Sequence, residues 1–212
     1  MTELRTRLDS GLAALGLVLD EATRARLVAY VELLTKWNKA YNLTAVRDPL
    51  LMVSRHILDS LAVAPHVPER RIIDVGTGAG LPGIPLALAF PEREFVLLDS
   101  NGKKTRFLVQ AKASLGLDNV EVVHARVEEY RPEVQFDAVI TRAFAALADI
   151  LIGSSHLLNA GGRFLAMKAV LEQQELAAIP SGFTIVQTIP LRVPGLELEQ
   201  RHLVCIARKG EV

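Results

Sequence analysis

The sequence predicts an α/β fold: a seven-stranded, mostly parallel sheet with an antiparallel last strand pair and a helical N-terminal extension. Three observations support this prediction. From Arg71 onward, short apolar runs alternate with helical patterns. Most of these runs are continuously apolar, which is typical of parallel strands covered on both faces. Only an irregular connection, residues 190–200, separates the last two runs, and adjacent strands without a crossover helix pair antiparallel.

The N-terminal part is predicted to be helical. Residues 1–66 are expected to form an extension packed on the core, and residues 67–212 to form the α/β unit. Asp20 suits the cap of a long helix whose apolar positions recur at helical spacing, and Asn42 marks its exit. Pro65 interrupts the helical pattern near the boundary.

A further helix is predicted to begin at Pro49, because proline suits a first helical turn. Arg55 and Asp59 lie four residues apart on it, away from its apolar positions. His56 and Asp59 lie three apart, and we expect them to form a hydrogen-bonded pair without a catalytic role.

The remaining elements follow from periodicity. Strands are predicted near residues 71–75, 94–98, 120–124, 137–141, 162–167, 183–189 and 201–208, and helices near 84–90, 103–116, 145–158 and 171–177. In the helix at 103–116, Phe107, Ala111 and Leu115 form the predicted buried stripe. Lys103, Arg106 and Gln110 share its outward face.

Composition excludes several classes of protein. The 212 residues suggest one domain, and 24 basic residues balance 24 acidic ones, so bulk charge does not indicate a nucleic-acid binder. No apolar run reaches the ~18 residues that span a bilayer, and the first residues lack a signal-peptide pattern. The single cysteine, Cys205, fits a reducing compartment. We therefore expect a cytoplasmic protein without a membrane partner.

The most informative motif is a glycine-dense turn between two predicted strands. Residues 72–83 read IIDVGTGAGLPG, and the next apolar run ends on Asp99. Glycines let the backbone approach a ligand, the following helix start offers N–H groups, and an acid at the next strand tip can bind ribose hydroxyls. This layout predicts a site for an adenosine-containing cofactor. A redox dinucleotide, S-adenosylmethionine, and a tight turn without a ligand all remain compatible with the turn itself.

The predicted antiparallel ending favours S-adenosylmethionine, because a redox dinucleotide domain would normally continue as parallel βαβ units. Seven strands with this ending resemble the class I S-adenosylmethionine methyltransferase fold. Asp74, two residues before Gly76, is similar to the acid of that fold's first motif. Asp137 belongs to a further segment resembling its fourth strand.

Seven ordered blocks narrow the resemblance. The blocks are WNKAYNLT at 37–44, RHILDS at 55–60, DVGTGAGLPGIP at 74–85, LLDS at 97–100, RVEE at 126–129, TRAF at 141–144 and RHLV at 201–204. On these blocks the sequence is similar to the bacterial small-subunit rRNA guanine-N7 methyltransferase family, also called glucose-inhibited division protein B. The resemblance extends over roughly residues 20–205.

The resemblance implies S-adenosylmethionine as methyl donor and the guanine conventionally numbered 527 in 16S rRNA as acceptor. The expected cofactor-binding residues are the acid and glycines of the turn, the ribose acid, the residues bordering adenine, and an arginine that reaches the cofactor or the base: Asp74, Gly76, Gly78, Gly80, Leu81, Asp99, Val127, Glu128 and Arg142. Two departures from the family pattern are visible. Ala79 stands in place of proline, and Ala169 follows Lys168 in place of glycine.

The chemistry implied needs no general base, because guanine N7 carries a lone pair and no proton. Positioning alone can lower the barrier by ~7–11 kcal/mol. Arg142, after the fourth strand, is expected to contact guanine O6 or a phosphate, and Lys168 to bind phosphate. The histidines lack metal-ligand spacing, so we expect no metal. Cys205 lies in an apolar strand and is predicted to be a core residue, which argues against a cysteine adduct.

RNA contact is predicted from local charge. From Ser100 to Leu117 there are four basic residues and no acid. The expected RNA-binding residues are Arg55, Lys103, Lys104 and Arg106, with Lys36, Lys39 and Arg47 nearby. Tyr41 or Phe144 is a candidate to stack on an extruded base.

The expected partner is 16S rRNA or the small ribosomal subunit, including an assembly intermediate, with the enzyme acting as a monomer. Two other functions remain open from the sequence. One is methylation of a small molecule, against which the basic helix and the extension weigh. The other is a non-catalytic RNA-binding or assembly factor, against which the intact glycine turn and Asp99 weigh.

Overall fold

The computed structural model describes residues 2–67, 70–142 and 146–211. The α-helices are α1 (Glu3–Ala14), α2 (Glu21–Tyr41), α3 (Pro49–Met52), α4 (Asp59–Leu61), α5 (Gly83–Ala89), α6 (Gly102–Leu115), α7 (Leu147–Ser154) and α8 (Gln173–Ala177). The strands are β1 (Arg71–Val75), β2 (Glu94–Asp99), β3 (Val120–His124), β4 (Phe136–Arg142), β5 (Leu158–Lys168), β6 (Phe183–Pro190) and β7 (His202–Arg208). The elements predicted from Arg71 onward are thus confirmed in type and order, but the helix predicted to reach residue 158 ends at Ser154, and β5 already begins at Leu158.

The strands form one seven-stranded sheet in the order β3-β2-β1-β4-β5-β7-β6. The first five strands of the chain are parallel, and β7 runs antiparallel to β6, as predicted. β7 lies between β6 and β5 and is also antiparallel to β5. The chain leaves β1 toward β2 on one side and later returns to β4 on the other. The carboxyl ends of β1 and β4 therefore define the crevice in which ligands of such sheets bind.

The N-terminal helices share a hydrophobic core with one face of the sheet, and Leu27, Tyr30 and Leu34 are fully buried in it. Asp20 caps α2 as predicted, because its carboxylate accepts a hydrogen bond from the Thr23 amide at 2.6 Å. The buried Tyr30 hydroxyl donates to the Ala79 carbonyl at 2.6 Å. The extension is thereby tied to the glycine turn.

The helical segment over residues 49–61 departs from the prediction in its middle. Asp48 caps it and Pro49 opens it, but Val53–Leu58 is π-helical. Hydrogen bonds from i to i+5 widen the turn and rotate the side chains relative to an α-helix. The predicted His56–Asp59 pair is wrong: His56 pairs with Thr44 and the Arg55 carbonyl, and Asp59 with Arg142 and Arg201. Asp59 is buried.

Helix α6 follows directly from the end of β2. The Asn101 side chain caps it by accepting from the Lys103 amide at 2.9 Å. Phe107, Ala111 and Leu115 are buried, and Lys103, Arg106 and Gln110 are exposed, as predicted. Within the described residues, no helix has the length and apolar character needed to cross a membrane.

Candidate active site

The glycine turn joins β1 to α5 and is shaped by backbone that favours glycine. Gly76, Gly78 and Gly80 have φ values of 67°, 64° and 91°. At Gly80 a Cβ would also lie 2.4 Å from the Ile84 Cδ1 atom. At Gly78 the nearest atom to a Cβ would be the Gly76 carbonyl oxygen, 4.0 Å away, so this side of the turn is open. The turn therefore packs against α5 at Gly80 and is accessible to a ligand at Gly78.

Asp74 supports the turn from inside the protein. One of its oxygens, Oδ2, accepts hydrogen bonds from the Thr77 hydroxyl at 2.6 Å and from the Gly83 amide at 2.8 Å. Among the described residues, the other oxygen, Oδ1, accepts none. Burial raises the pKa of Asp74 from 3.8 to about 6. Asp74 thus stabilises the turn, and its predicted contact with a cofactor stays a prediction.

Asp99 connects the end of β2 to the same turn. Its Oδ2 accepts from the Gly78 amide at 2.9 Å, and its Oδ1 accepts from the Asn101 amide at 2.8 Å. The Lys104 ammonium lies 3.6 Å from Oδ2. Each carboxylate oxygen has two lone pairs, so Asp99 retains acceptor capacity for a hydroxyl of a ligand.

A cavity of about 390 Å³ lies over the carboxyl ends of β1, β2 and β3, and we call it the β1–β3 cavity. Four predicted cofactor residues line it: Gly76, Asp99, Val127 and Glu128. The predicted residues Asp74, Gly78, Gly80 and Leu81 lie within or beneath the turn and are not among its lining residues. An open glycine backbone, a carboxylate and an apolar side chain fit the adenosine part of S-adenosylmethionine.

A second cavity, of about 290 Å³, lies over the ends of β4, β5 and β7, and we call it the β4–β7 cavity. Its polar lining consists of Arg55, His56, Asp59, Arg142, Lys168, Arg201 and His202, and its apolar lining of Val46, Met167, Ala169 and Leu191. Residues from the N-terminal extension and from the sheet thus line this cavity together.

Asp59 is the centre of the polar network in this cavity. Its side chain is 5% exposed, and its two oxygens accept from Arg142 Nη1 at 3.0 Å and from Arg201 Nε at 3.1 Å. Arg142 Nη1 also donates to the Arg55 carbonyl at 2.9 Å. Glu199 pairs with Arg201 Nη2 at 2.8 Å and with Arg55. One buried carboxylate from the extension therefore holds two arginines from separate strands.

His56 is neutral at physiological pH. Its Nδ1 lies 2.9 Å from the Arg55 carbonyl oxygen, and its Nε2 lies 2.9 Å from the Thr44 hydroxyl. A carbonyl can only accept, so Nδ1 carries the proton and Nε2 accepts from Thr44. Burial lowers the pKa of His56 from 6.5 to about 4. The residue fixes the wall of the cavity without adding charge.

Lys168 lies at the rim of the β4–β7 cavity and pairs with Glu175 of α8, with Nζ 2.5 Å from Oε1. The same oxygen accepts from the Leu147 amide at 3.0 Å, so the pair also links α8 to α7. For the predicted phosphate contact, the Lys168 ammonium would have to bind the phosphate beside Glu175 or release Glu175.

The four predicted RNA-binding residues lie in two places. Lys103 and Arg106 are exposed on α6, and Lys104 borders the β1–β3 cavity. Arg55 lies instead at the β4–β7 cavity. Phe144 is outside the described residues.

Sequence reasoning missed Asp59 as the bridging anion and did not assign a role to Arg201. The signal present was the spacing of Arg55 and Asp59, which indicated a shared helix face. Their true partners lie more than 80 residues away in sequence, and no local pattern reveals them. Among the described residues, no group of three His, Cys, Asp or Glu side chains is placed to hold a metal ion.

The sheet order, the antiparallel ending and the paired cavities define a class I methyltransferase fold. A ribosomal protein L11 methylase from Lactobacillus delbrueckii subsp. bulgaricus has this fold, with a TM-score of 0.53 and 19% identity over 72% of this chain and 77% of its own. The glycopeptide N-methyltransferase MtfA has a TM-score of 0.59 and 13% identity over 71% of this chain and 95% of its own.

Sequence comparison identifies the family. The profile described as rRNA small subunit methyltransferase G matches residues 23–204. Ribosomal RNA small subunit methyltransferase G of Hahella chejuensis is 52% identical over 96% of this chain and 94% of its own length. The protein of the same name from Ectopseudomonas mendocina is 56% identical over 93% of each. The chain belongs to the rRNA small subunit methyltransferase G family.

Proposed function

We propose that this protein transfers a methyl group from S-adenosylmethionine to N7 of a guanine in 16S rRNA, the one conventionally numbered 527. The observation that carries this proposal is the pair of cavities on either side of the β1–β4 crevice. One has the features of an adenosine site, and the other is lined by arginines. The names of the relatives, which describe a ribosomal small-subunit RNA, support the same substrate.

When bound, S-adenosylmethionine supplies an electrophilic methyl group on a sulfonium. In the β1–β3 cavity, Asp99 would accept from the ribose hydroxyls, Gly76 would allow close approach of the backbone, and Val127 and Glu128 would border the adenine. Gly78, Gly80, Leu81 and Asp74 would hold the turn in the required shape. The chain's own part in this step is binding and orientation.

In the β4–β7 cavity, the guanidinium groups of Arg142 and Arg201, which line its wall, would donate hydrogen bonds to a base acceptor or a phosphate. Donation to guanine O6 would orient the base and leave the N7 lone pair available. The apolar side chains of Met167, Val46 and Leu191 would exclude water. His56 is buried, neutral and already hydrogen-bonded on both ring nitrogens, which agrees with a reaction that needs no general base.

Charge in and beside the β4–β7 cavity suits a polyanion only modestly. Its four lining cations, Arg55, Arg142, Lys168 and Arg201, face three carboxylates, those of Asp59, Glu175 and Glu199. Recognition would therefore depend on the directed guanidinium donors more than on net charge. Exposed Lys103 and Arg106 on α6, with Lys104, would add phosphate contacts.

We expect the protein to act in the cytoplasm as a monomer, on the small subunit, an assembly intermediate or 16S rRNA itself. The experiment is methyl transfer from labelled S-adenosylmethionine to small subunits from cells lacking this protein, followed by mass spectrometry of the guanine. Free 16S rRNA and a metabolite mixture are the comparison substrates. Failure to methylate any RNA, with cofactor binding intact, would reject the proposal and favour a non-catalytic factor.

A further inference from the structure

A third concave feature, a surface groove, lies outside both cavities. A groove of about 470 Å³ runs between α2 and α6 and is lined by Leu33, Lys36, Trp37, Ala40, Tyr41 and Gln110. We call it the α2–α6 groove. The rings of Trp37 and Tyr41 lie with centroids 5.1 Å apart, and Tyr41 is 43% exposed. Trp37 is partly buried against the core and supports the exposed ring of Tyr41, which offers a stacking surface.

The groove lies on the same side of the protein as the cofactor residues. Helices α2 and α6 pack antiparallel. Near the start of α2, Arg26 Nη1 lies 3.5 Å from the carbonyl oxygen of Leu115, the last residue of α6. Near the end of α2, the ring centroids of Trp37 and Phe107 are 5.7 Å apart, and Phe107 lies in the first half of α6. The end of α2 therefore lies beside the first turns of α6. Those turns begin at Asn101 and carry Lys104, and both residues border the β1–β3 cavity.

Positive charge predominates around the groove. Lys36 lines it, and Lys39, Lys103 and Arg106 are exposed on the two helices that form it. None of the described residues lining the groove is acidic, residues 100–117 contain no acid, and Glu32, exposed on α2 four residues before Lys36, lies outside the lining. Aromatic rings beside an excess of cations suit a nucleic-acid strand, whose bases stack and whose phosphates need positive charge.

We propose that the α2–α6 groove binds a nucleotide of the substrate RNA other than the reacting guanine. An unpaired base stacks on Tyr41 and Trp37, and the neighbouring phosphates contact Lys36 and Lys39. This proposal rests on the proposed function, because it takes the substrate to be RNA. It assigns to the groove a role in substrate affinity and none in the methyl-transfer step.

The kinetic test uses full-length protein and unmethylated small subunits. Tyr41→Ala and Lys36→Glu should each raise KM for the subunit about tenfold, with kcat and S-adenosylmethionine affinity unchanged. Tyr41→Phe should keep the wild-type KM, because its ring still stacks. Lys209→Glu is the matched charge control, since Lys209 is exposed just after β7, which lies four strands away from β2 in the sheet, whereas α6 follows directly from β2.

Salt dependence separates stacking from charge. The slope of log KM against log salt should fall by about 0.7 for Lys36→Glu and stay at the wild-type value for Tyr41→Ala. Both residues are exposed, so the variants should fold, and circular dichroism checks this directly.

A binding test is independent of activity. Trp37 is the only tryptophan in the chain, so its fluorescence reports on this groove alone. Titration with a 16S rRNA fragment spanning the target guanine should quench Trp37, whereas S-adenosylmethionine alone should not.

Unchanged KM in both Tyr41→Ala and Lys36→Glu would overturn the proposal, as would RNA binding without a change in Trp37 fluorescence. A fall in kcat at unchanged KM would overturn it too. Quenching of Trp37 by a ribosomal protein, with none by the RNA fragment, would assign the groove to a protein partner instead. If the wild-type protein methylated no RNA, the proposed function itself would fail, which is a separate result.

Discussion

Replacing Asp59 with asparagine tests whether the N-terminal extension positions the arginines of the β4–β7 cavity. Asparagine has nearly the same shape but only one acceptor oxygen, whereas Asp59 accepts from both Arg142 and Arg201. One guanidinium would then face an amide NH₂ and turn away. We expect kcat to fall about 100-fold, because a displacement of about 1 Å at a positioning group costs about that much.

The stability cost should be smaller than an isolated buried ion pair would suggest. Arg142 keeps its bond to the Arg55 carbonyl, and Arg201 keeps Glu199. The net loss is roughly one charge-assisted hydrogen bond, about 2 kcal/mol in the free energy of unfolding. Affinity for S-adenosylmethionine should not change, because Asp59 does not line the β1–β3 cavity.

The assay is single-turnover methyl transfer by Asp59→Asn, Arg142→Ala and the double variant, with urea denaturation of each. If Asp59 acts through Arg142, its substitution in the Arg142→Ala background should lower the rate less than about threefold. Glu199→Gln is the matched control, since it removes a carboxylate that contacts Arg201 but not Arg142. The same 100-fold loss in both backgrounds would refute the reasoning.

Four further substitutions test individual side chains of the site and the core. In Arg142→Ala, methyl transfer per folded molecule should fall at least 100-fold, as in Asp59→Asn, and the free energy of unfolding should fall by at least about 2 kcal/mol, because the bonds to Asp59 and to the Arg55 carbonyl are lost. Equal transfer rates per folded molecule would reject its role. Cys205→Ala should leave the transfer rate nearly unchanged, because the thiol lies in the core. Tyr30→Phe should lower the free energy of urea unfolding by about 1–3 kcal/mol, since the buried Ala79 carbonyl loses its donor. Burial raises the pKa of Asp74 to about 6, so the native state binds the carboxyl proton more tightly than the unfolded state does. Protonation of Asp74 therefore stabilises the native state fully below pH 3.8, and this contribution is lost as the pH rises through 6. Between pH 4 and pH 7, the free energy of unfolding of Asp74→Asn should therefore rise by about 3 kcal/mol relative to that of the wild type, which is two pKa units at about 1.4 kcal/mol each. Parallel plots of unfolding free energy against pH for the two proteins would contradict this prediction.

Most of the architecture could be predicted because it depends on local patterns. Continuous apolar runs gave the strands, and the missing crossover helix before β7 gave the antiparallel ending. Asp20 and Pro49 marked helix starts through capping and through restriction of φ. The glycine turn was visible because positive φ values require glycine at several nearby positions.

The details of the site were less predictable. The π-helical stretch at Val53–Leu58 was not predicted, because its sequence is compatible with an α-helix. His56 pairs with Thr44 rather than Asp59. Likewise, Asp74 and Gly80 proved to be support for the turn, while Gly76 and Asp99 line the cavity. Spacing alone does not distinguish a residue beneath a turn from one above it.

The sequence by itself determined the order of elements, the edge of the sheet that carries the site and the family to which the chain belongs. Each of these depends on residues near one another along the chain or on patterns of apolar spacing. Only the tertiary structure decided that a carboxylate of the N-terminal extension holds Arg142 and Arg201 together, and that α2 and α6 enclose an aromatic groove. Such contacts join side chains that are remote in sequence, and their geometry is set by the packing of whole helices against the sheet.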